Sequence, residues 1–598
     1  MAEMKFNLLE VDLTAQKHRI VEVTEEVRNY LGGRGLGAKL LWDRVPAGAD
    51  PFGPENILYI GVGPGTGLSG SVANISAKSP LTLRRGHSNV NGCFGVELVY
   101  AGFNAGLLLT GKANKPVYLY IKDDDIEIRN AAHLWGKPNV EAQQLLRDEI
   151  RKEPGDQNFR VASIGPAGEH LVRNAGICHD FLHHAARFGM GAVMGSKNVK
   201  AIVVRGTRAP DYQEPGGIFQ IISKLFHQAR GYKASRRRWG YSTSLAERYY
   251  ITREGVKNKQ LGWDDICDQF NPIRHEQQYK LWNDGCILCP VGCKVPYMRR
   301  HPPLGPCVGE LRHDNAGGWG ANVMIPGYET QVYLTPFVDN LGLDSEDISG
   351  VIAWVMECYD KGLLTREDLD GVDMSWGNLQ AICKMLTKIA YREGIGDTLA
   401  EGLKFASEKI GKQSDRYAMT HKGIAMTSWE PRGSMSDAIS MATNPVGEQH
   451  GDRGSVESIL LDSLTCCRFL RPDLKEMFGT LENYAISMLR MVCGWQLSGE
   501  DMADIALRAA LMERCYCIRE GYVPERDDWL PERFFTEVIY SKYGEPRILD
   551  RSQFLEWRQK MYASLGVGND GIPSRETLSK LKMDFVVPVI EKSIPQWK

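Results

Sequence analysis

Apolar and polar residues alternate through the first third of the chain, and from about residue 215 the period lengthens to that of helices. Leu9-Glu10-Val11-Asp12-Leu13 is a period-2 strand, and Val117 to Arg129, turning at Asp123-Asp124-Asp125, predicts a hairpin. Asn56 to Val62 and Ala201 to Val204 are short apolar runs bounded by glycine and charge, as buried strands require. Glycine is dense in this part, at Gly32-Gly33-Arg34-Gly35-Leu36-Gly37, Gly63 to Gly70 and Gly189-Met190-Gly191. The composition breaks between Ala209-Pro210-Asp211 and Pro215-Gly216-Gly217, which sets a domain boundary there. Beyond it Leu379, Ile382, Leu386 and Ile389 line one helix face. Thr398 with Glu401 predicts a capping box opening a second helix that carries Leu399, Leu403 and Ile410 before Gly411. No internal repeat is visible, and Arg236-Arg237-Arg238 reads as a solvated loop.

At 598 residues there is room for three or four domains with buried cores. The 72 basic and 74 acidic residues give a net charge of −2, so nothing in the charge balance calls for nucleic acid. Met1 to Leu13 lacks the cationic start and apolar centre of a secretory signal, and no run reaches the roughly 18 apolar residues of a spanning helix. A cytoplasmic location is therefore expected. There, 14 cysteines point to metal or redox chemistry ahead of disulfides.

Seven of the cysteines stand alone, and the others cluster. In Asp284-Gly285-Cys286-Ile287-Leu288-Cys289-Pro290-Val291-Gly292-Cys293 one loop presents three thiols, the spacing of a compact metal centre. A cubane iron–sulfur cluster needs a fourth, distant thiolate. Structural zinc instead favours two separated pairs, and no second pair with the C-x2-C spacing exists. Cys466, Cys467 and Cys493 are the candidates for the fourth ligand, and spacing alone does not choose among them. Cys515-x-Cys517 lies in a helical stretch and reads as structural.

Leu31 to Gly37, Ser76-Ala77-Lys78-Ser79-Pro80-Leu81-Thr82, Gly189-Met190-Gly191-Ala192-Val193-Met194-Gly195 and the cysteine triplet occur in one order along nearly the whole chain. In these motifs the sequence resembles the tungsten-containing aldehyde:ferredoxin oxidoreductases. The resemblance implies an α+β fold: a strand-rich, pterin-binding domain over residues 1–210, followed by two mostly helical domains, 211–415 and 416–598. It also implies a tungsten–bispterin cofactor (tungstopterin), a [4Fe-4S] cluster and Mg2+. The family's pterin motif, D-x-x-G-L followed by Asp or Cys, is intact as Asp339-Asn340-Leu341-Gly342-Leu343-Asp344, with Asp344 or Ser345 capping a helix from Asp347 to Tyr359. Its carboxylate suits the N–H edge of an aminopyrimidinone. A second copy, Asp462-Ser463-Leu464-Thr465-Cys466-Cys467, has Thr465 and Cys466 where the family has Gly and Leu. This register makes Cys467 the fourth cluster ligand with Cys286, Cys289 and Cys293, and Asp462 the second pterin contact, leaving Cys466 as neighbour or rival. Asn89, Asn91 and Gly92 resemble one phosphate loop, and Ala185, Ala186, Arg187 and Gly189 another. A basic phosphate contact is missing near Val72, and Arg84 or Arg85 is expected to substitute.

Oxidising an aldehyde to a carboxylate requires a carboxylate and an imidazole beside the metal. By the resemblance these are Glu310, in Gly305-Pro306-Cys307-Val308-Gly309-Glu310, with Glu329 as rival, and His450, in Asn444-Pro445-Val446-Gly447-Glu448-Gln449-His450. No dinucleotide fingerprint accompanies them, so electrons are expected to leave through ferredoxin or an iron–sulfur subunit, with a homo- or hetero-oligomer as the assembly. The alternative within the superfamily is the tungsten subunit of a class II aryl-CoA reductase, which Trp42-Asp43-Arg44-Val45-Pro46 and Asp570-Gly571-Ile572-Pro573 resemble and which would use a thiolate such as Cys307. A non-catalytic iron–sulfur electron-transfer scaffold is the reading from another class.

Overall fold

The structure is a computed structural model that describes residues 3–68, 70–152, 158–181, 183–232, 234–240, 245–299, 307–310, 312–449, 452, 454–595 and 597. The alternating segments form two six-stranded sheets. The first contains β1 (Asn7–Asp12), β2 (Lys17–Glu22), β3 (Leu58–Gly61), β4 (Val72–Lys78), β5 (Arg85–Asn91) and β6 (Gly106–Thr110), in the order β2-β1-β6-β3-β4-β5. The second contains β7 (Val117–Lys122), β8 (Asp125–Asn130), β9 (Arg160–Ser163), β10 (Ile177–His179), β11 (His183–Ala185) and β12 (Val199–Arg205). Read from its far edge, its order is β8-β7-β12-β9-β10-β11. That is the first order repeated, and the pairing senses agree: β1 with β6 and β7 with β12 are parallel, and every other neighbour is antiparallel.

The N-terminal region is thus a structural duplication, contrary to the sequence reading that found no repeat. What the two halves share is hydrogen-bonding order and a Gly-Pro turn after the third strand, at Gly63-Pro64 and Gly165-Pro166.

Side-chain alternation decides how the sheets pack. Leu9, Val11, Leu58, Ile60, Leu107 and Leu109 of the first sheet share one core with Leu119, Ile121, Ile202 and Val204 of the second. The opposite faces, with Leu8, Tyr59 and Leu108, and with Tyr118, Tyr120, Ala201 and Val203, belong to other clusters. Leu511, Cys515, Leu578 and Trp597 also enter the shared core, so the end of the chain covers the beginning.

The remainder is mainly helical. Helix Ser345–Asp360 is buried on every side from Ser345 to Cys358, the condition of a central helix, and helix Leu379–Tyr391 enters the same core through Ile382, Leu386 and Ile389. The predicted capping box does not form. Thr398 lies in the short helix Ile395–Leu399, and Gly402, at φ 86°, breaks the chain before a separate helix, Leu403–Ile410. Glu401 is drawn instead to Arg173 and Arg392, at 2.6 and 2.7 Å. Arg236, Arg237 and Arg238 lie on a helix, Ala234–Trp239, and not in a loop. Among the described residues no helix is long and apolar enough to cross a membrane.

Candidate active site

The two D-x-x-(G/T) segments adopt one geometry. Helix Gly327–Leu341 ends at Gly342 (φ 82°, ψ 26°), and helix Val456–Leu464 ends at Thr465 (φ 61°, ψ 32°). After each turn the motif's last residue, Asp344 or Cys467, sits at the start of the next helix or helical turn. Asp344 caps its helix through the Glu346 N–H at 3.0 Å, as predicted, and also accepts from the Arg187 N–H at 2.9 Å.

Each half of the duplication holds one turn. Gly176 N–H donates to Gly342 O (3.0 Å) and Asp344 N–H to Asn174 O (2.9 Å). Gly65 N–H donates to Leu464 O (2.9 Å) and Val72 N–H to Thr465 O (3.2 Å). The contacts are so close that a Cβ on Gly165 would lie 2.5 Å from Leu341 O, and one on Gly65 2.5 Å from Leu464 O. The repeated Gly-Pro turns therefore seat the repeated motifs.

Both motif aspartates are buried against guanidinium groups. Asp339 pairs with Arg312 and with His184 Nδ1 at 3.1 Å. Burial pushes its carboxyl up, but Arg312 and His184 outweigh this and hold it below the usual range. Asp462 meets Arg34 Nη1 and Arg468 Nε, each at 3.1 Å. Arg34 also reaches Asp452 (2.7 Å) and Glu513 (2.6 Å), and Arg85 joins it on Glu513. Burial keeps the Asp462 carboxyl above its ordinary value despite these partners. Arg85 pairs with Glu513 and Arg84 with Asp527 at 2.7 Å, while among the described residues Arg84 Nη1 and Arg85 Nε keep no hydrogen-bond partner.

The proposed phosphate loops follow β5 and β11, which are equivalent edge strands of the two repeats. They meet where Ser88 Oγ donates to Ala186 O at 2.7 Å. Asn89 accepts from Asn74, and Gly92 N–H donates to Cys286 Sγ at 3.2 Å. Ala185 closes β11, and Gly189 turns at φ 75° against Arg173 O. Arg187 is buried, and its Nη2 donates to Ala425 O and Glu448 O. Among the described residues its Nε and Nη1 have no hydrogen-bond partner, with Asp344, Glu346 and Asp347 at 3.7 to 4.0 Å. Such unused donors, between meeting glycine-rich loops and paired carboxylates, suit an anionic, carbonyl-rich ligand of pterin type.

The structure brings Cys467 to the cysteine triplet. A Cβ on Gly70 would touch Cys467 Cβ at 3.1 Å and Cys289 Sγ at 3.7 Å, so Gly70 lies between the two segments. Burial, followed by Cys289, Cys293 and Cys286, raises the Cys467 thiol. Cys466 turns away to Tyr484 Oη at 3.3 Å, and Cys493 is raised by burial and Glu3 near the N-terminus. Among the described residues no three His, Cys, Asp or Glu side chains are placed to hold a single metal ion.

Glu310 ends β14 (Cys307–Glu310), opposite Pro296 of β13 (Pro296–Arg299). It is buried, with Oε2 2.9 Å from His183 Nδ1, while His183 Nε2 lies 3.0 Å from Lys294 Nζ. An ammonium only donates, so Nε2 accepts and Nδ1–H donates to Glu310. Burial pushes the Glu310 carboxyl up, but His183, Lys294 and Arg312 overcome this and hold it at about 2. His450 lies outside the described residues. Of its flanks, Glu448 O accepts from Arg187 and Asp452 binds Arg34. A mostly apolar cavity of about 260 Å³ is lined by Val140, Cys178, Phe181, Gly309, Pro336 and Asp339, among others, beside the strand of Glu310.

Sequence reasoning missed Arg34, Arg468, His183 and Lys294. The available signal was Arg34 itself, a lone charge amid glycines that let its helix approach closely: a Cβ on Gly33 would lie 2.4 Å from Asp462 O.

The fold, two strand-rich sheets followed by a mostly helical region, agrees with the comparison to known proteins. The family model "Aldehyde ferredoxin oxidoreductase, N-terminal domain" matches residues 8–206, and the model for its domains 2 and 3 matches 249–459 and 456–583. The chain belongs to the aldehyde ferredoxin oxidoreductase family. It is 32% identical to the tungsten-containing aldehyde ferredoxin oxidoreductase of Pyrococcus furiosus, covering 96% of this chain and 98% of that one. It is 31% identical to the WOR-like subunit of an aliphatic sulfonate oxidoreductase from the same organism, over 96% of each chain. In fold it is similar to a chain of the active-site complex BamBC of benzoyl coenzyme A reductase (TM-score 0.80, 24% identity, 98% of this chain and 99% of that one). The relatives by sequence are oxidoreductases.

Proposed function

We propose that the protein is a tungsten–bispterin enzyme that oxidises aldehydes to carboxylates and passes the electrons through a [4Fe-4S] cluster to ferredoxin or an iron–sulfur subunit. The observation that carries this reading is the matched pair of turns, each seated on its own sheet repeat, with Cys467 beside the triplet. When bound, tungsten supplies Lewis acidity and a two-electron sink.

The chain's own residues divide the remaining work. Asp339 and Asp462 would accept N–H donors from the pterins, and Arg187 would donate through Nε and Nη1. The loops around Asn91–Gly92 and Ala185–Gly189 would hold the pterin phosphates and Mg2+. Cys286, Cys289, Cys293 and Cys467 would hold the cluster. Glu310, ionised at neutral pH, takes the proton of the attacking water, and His450 serves as its partner imidazole. Domains 211–415 and 416–598 contribute one motif each.

Metal analysis of protein purified without oxygen tests this. Tungsten with about four irons per chain, and turnover of aldehydes, support it. Iron without tungsten or molybdenum would move the reading to an electron-transfer scaffold. A second reading, aryl-CoA reduction, rests on Cys307, which shares β14 with Glu310. Turnover of aryl-CoA thioesters and not of aldehydes would select it.

A further inference from the structure

The segment carrying the cysteine triplet is held from outside by a basic helix that the proposed chemistry does not use. Helix Ala234–Trp239 is fastened to it at three points. Asn283 Nδ2 donates to Arg237 O and also to Gly292 O at 3.2 Å, Lys280 Nζ donates to Arg238 O, and Gly240 (φ 64°) lies so close that a Cβ there would be 2.6 Å from Cys293 O. The helix also touches the second cysteine segment. The Arg236 guanidinium sits 4.7 Å from the ring centre of Phe469, two residues beyond Cys467.

Among the described residues the charges on this face do not cancel. Arg238 is neutralised by Glu276, whose two carboxylate oxygens each lie 2.9 Å from its Nε. Arg236 rests on an aromatic ring, and Arg237 is exposed. The nearby carboxylate of Asp284 is turned inward to the Gly285 N–H at 2.8 Å. The same segment presents two large apolar side chains to solvent, Trp282 (54% exposed) and Leu288 (44%). Leu288 lies inside the triplet, between Cys286 and Cys289. The whole chain carries a net charge of −2, so this positive, apolar spot departs from the average.

We propose that Arg236, Arg237, Trp282 and Leu288 form the docking face for a small acidic iron–sulfur electron carrier of the ferredoxin kind. The proposal rests on the reading that the four cysteines hold a cluster. Electron transfer falls steeply with distance, so a carrier must settle where the thiolates come nearest the surface, and Cys286, Cys289 and Cys467 are only part-buried there. Arginine and tryptophan are the side chains that dominate small interfaces, and opposite charge speeds encounter without demanding a large buried area. A short-lived complex of this sort suits a carrier that must leave once reduced.

The test uses oxygen-free holoenzyme and one purified acidic two-cluster ferredoxin as the probe. Iron content and the visible spectrum are read first. A wild-type protein without a cluster overturns the functional reading and the docking proposal together. With the cluster present, binding is measured by surface plasmon resonance at low and high salt, on wild type, on R236E/R237E and on Trp282→Ala. The expected result is wild-type binding that weakens with salt and a Kd raised about tenfold or more by the double charge reversal. Trp282→Ala raises Kd at both salt levels, while iron content and turnover with a small neutral quinone stay at wild-type values. Unchanged ferredoxin binding in R236E/R237E, or wild-type binding indifferent to salt, overturns the docking face while leaving the cluster reading intact. Co-purification of a tightly held subunit over this face also overturns it.

Discussion

Thr465 stands in the left-handed backbone conformation that Gly342 occupies in the sister motif, at φ 61° against φ 82°. A β-branched residue there carries strain of about 1–3 kcal/mol. The Thr465 hydroxyl, 2.8 Å from Thr66 Oγ1, offsets part of it.

Thr465→Gly relieves the strain and loses that hydrogen bond, so its stability is expected within about 1 kcal/mol of wild type. Thr465→Val keeps the strain and leaves Thr66 without its partner, which costs about 1–3 kcal/mol. Thermal melting of the two variants reads the difference. A valine variant as stable as the glycine variant would show that the left-handed turn puts no strain on a β-branched residue, since both variants lack the hydroxyl.

Cys467→Ser is expected to lower iron content and alter the visible spectrum of the purified protein, whereas Cys466→Ser and Cys493→Ser leave both unchanged. The reverse result for Cys493 would mean that the second motif has been placed in the wrong register.

Arg34→Met strips a buried cation from Asp452, Asp462 and Glu513, and should cost about 3–5 kcal/mol. Arg34→Lys recovers only part, because an ammonium cannot grip carboxylates on two sides as the planar fork does. A methionine variant that melts with wild type would mean these carboxylates are not charged in the fold.

Glu310 has a folded value of about 2 against an ordinary 4.5, so the stabilisation from its cationic surroundings is present above about 4.5 and is lost as pH falls through about 2. Removing the donor in His183→Phe raises the folded value, and acid unfolding should begin at higher pH, followed by circular dichroism. Identical acid transitions would remove His183 as the residue that positions Glu310. For activity, Glu310→Gln and His450→Asn are each expected to lower turnover by roughly 10²- to 10⁴-fold with metal content intact. Loss of tungsten in either variant would assign the residue to cofactor binding.

Local features were legible in the sequence because local chemistry determines them. The hairpin at Asp123, the helix capped by Asp344 and the Leu379 helix appear where the patterns put them. The cysteine spacing marked one loop, while the choice of Cys467 over Cys466 came only from the motif register. The sheet duplication was hidden, since strand order is written in backbone hydrogen bonds and the side chains of the two halves have diverged around one Gly-Pro pair. Arg34 was hidden for another reason: its carboxylates lie 418 to 479 residues away. The capping box at Thr398 failed because Gly402 interrupts the helix that would have used it.

The distance between Arg34 and Glu513 also bears on how the protein is made. On the ribosome the first sheets emerge hundreds of residues before the helix that neutralises Arg34 and the segment, 511–597, that roofs their core. The nascent N-terminal region must therefore wait, half-dressed, for most of translation. A message cut short near codon 500 is expected to yield a sticky product dependent on chaperones, where one cut in a surface loop of an ordinary multidomain protein would release a finished first domain.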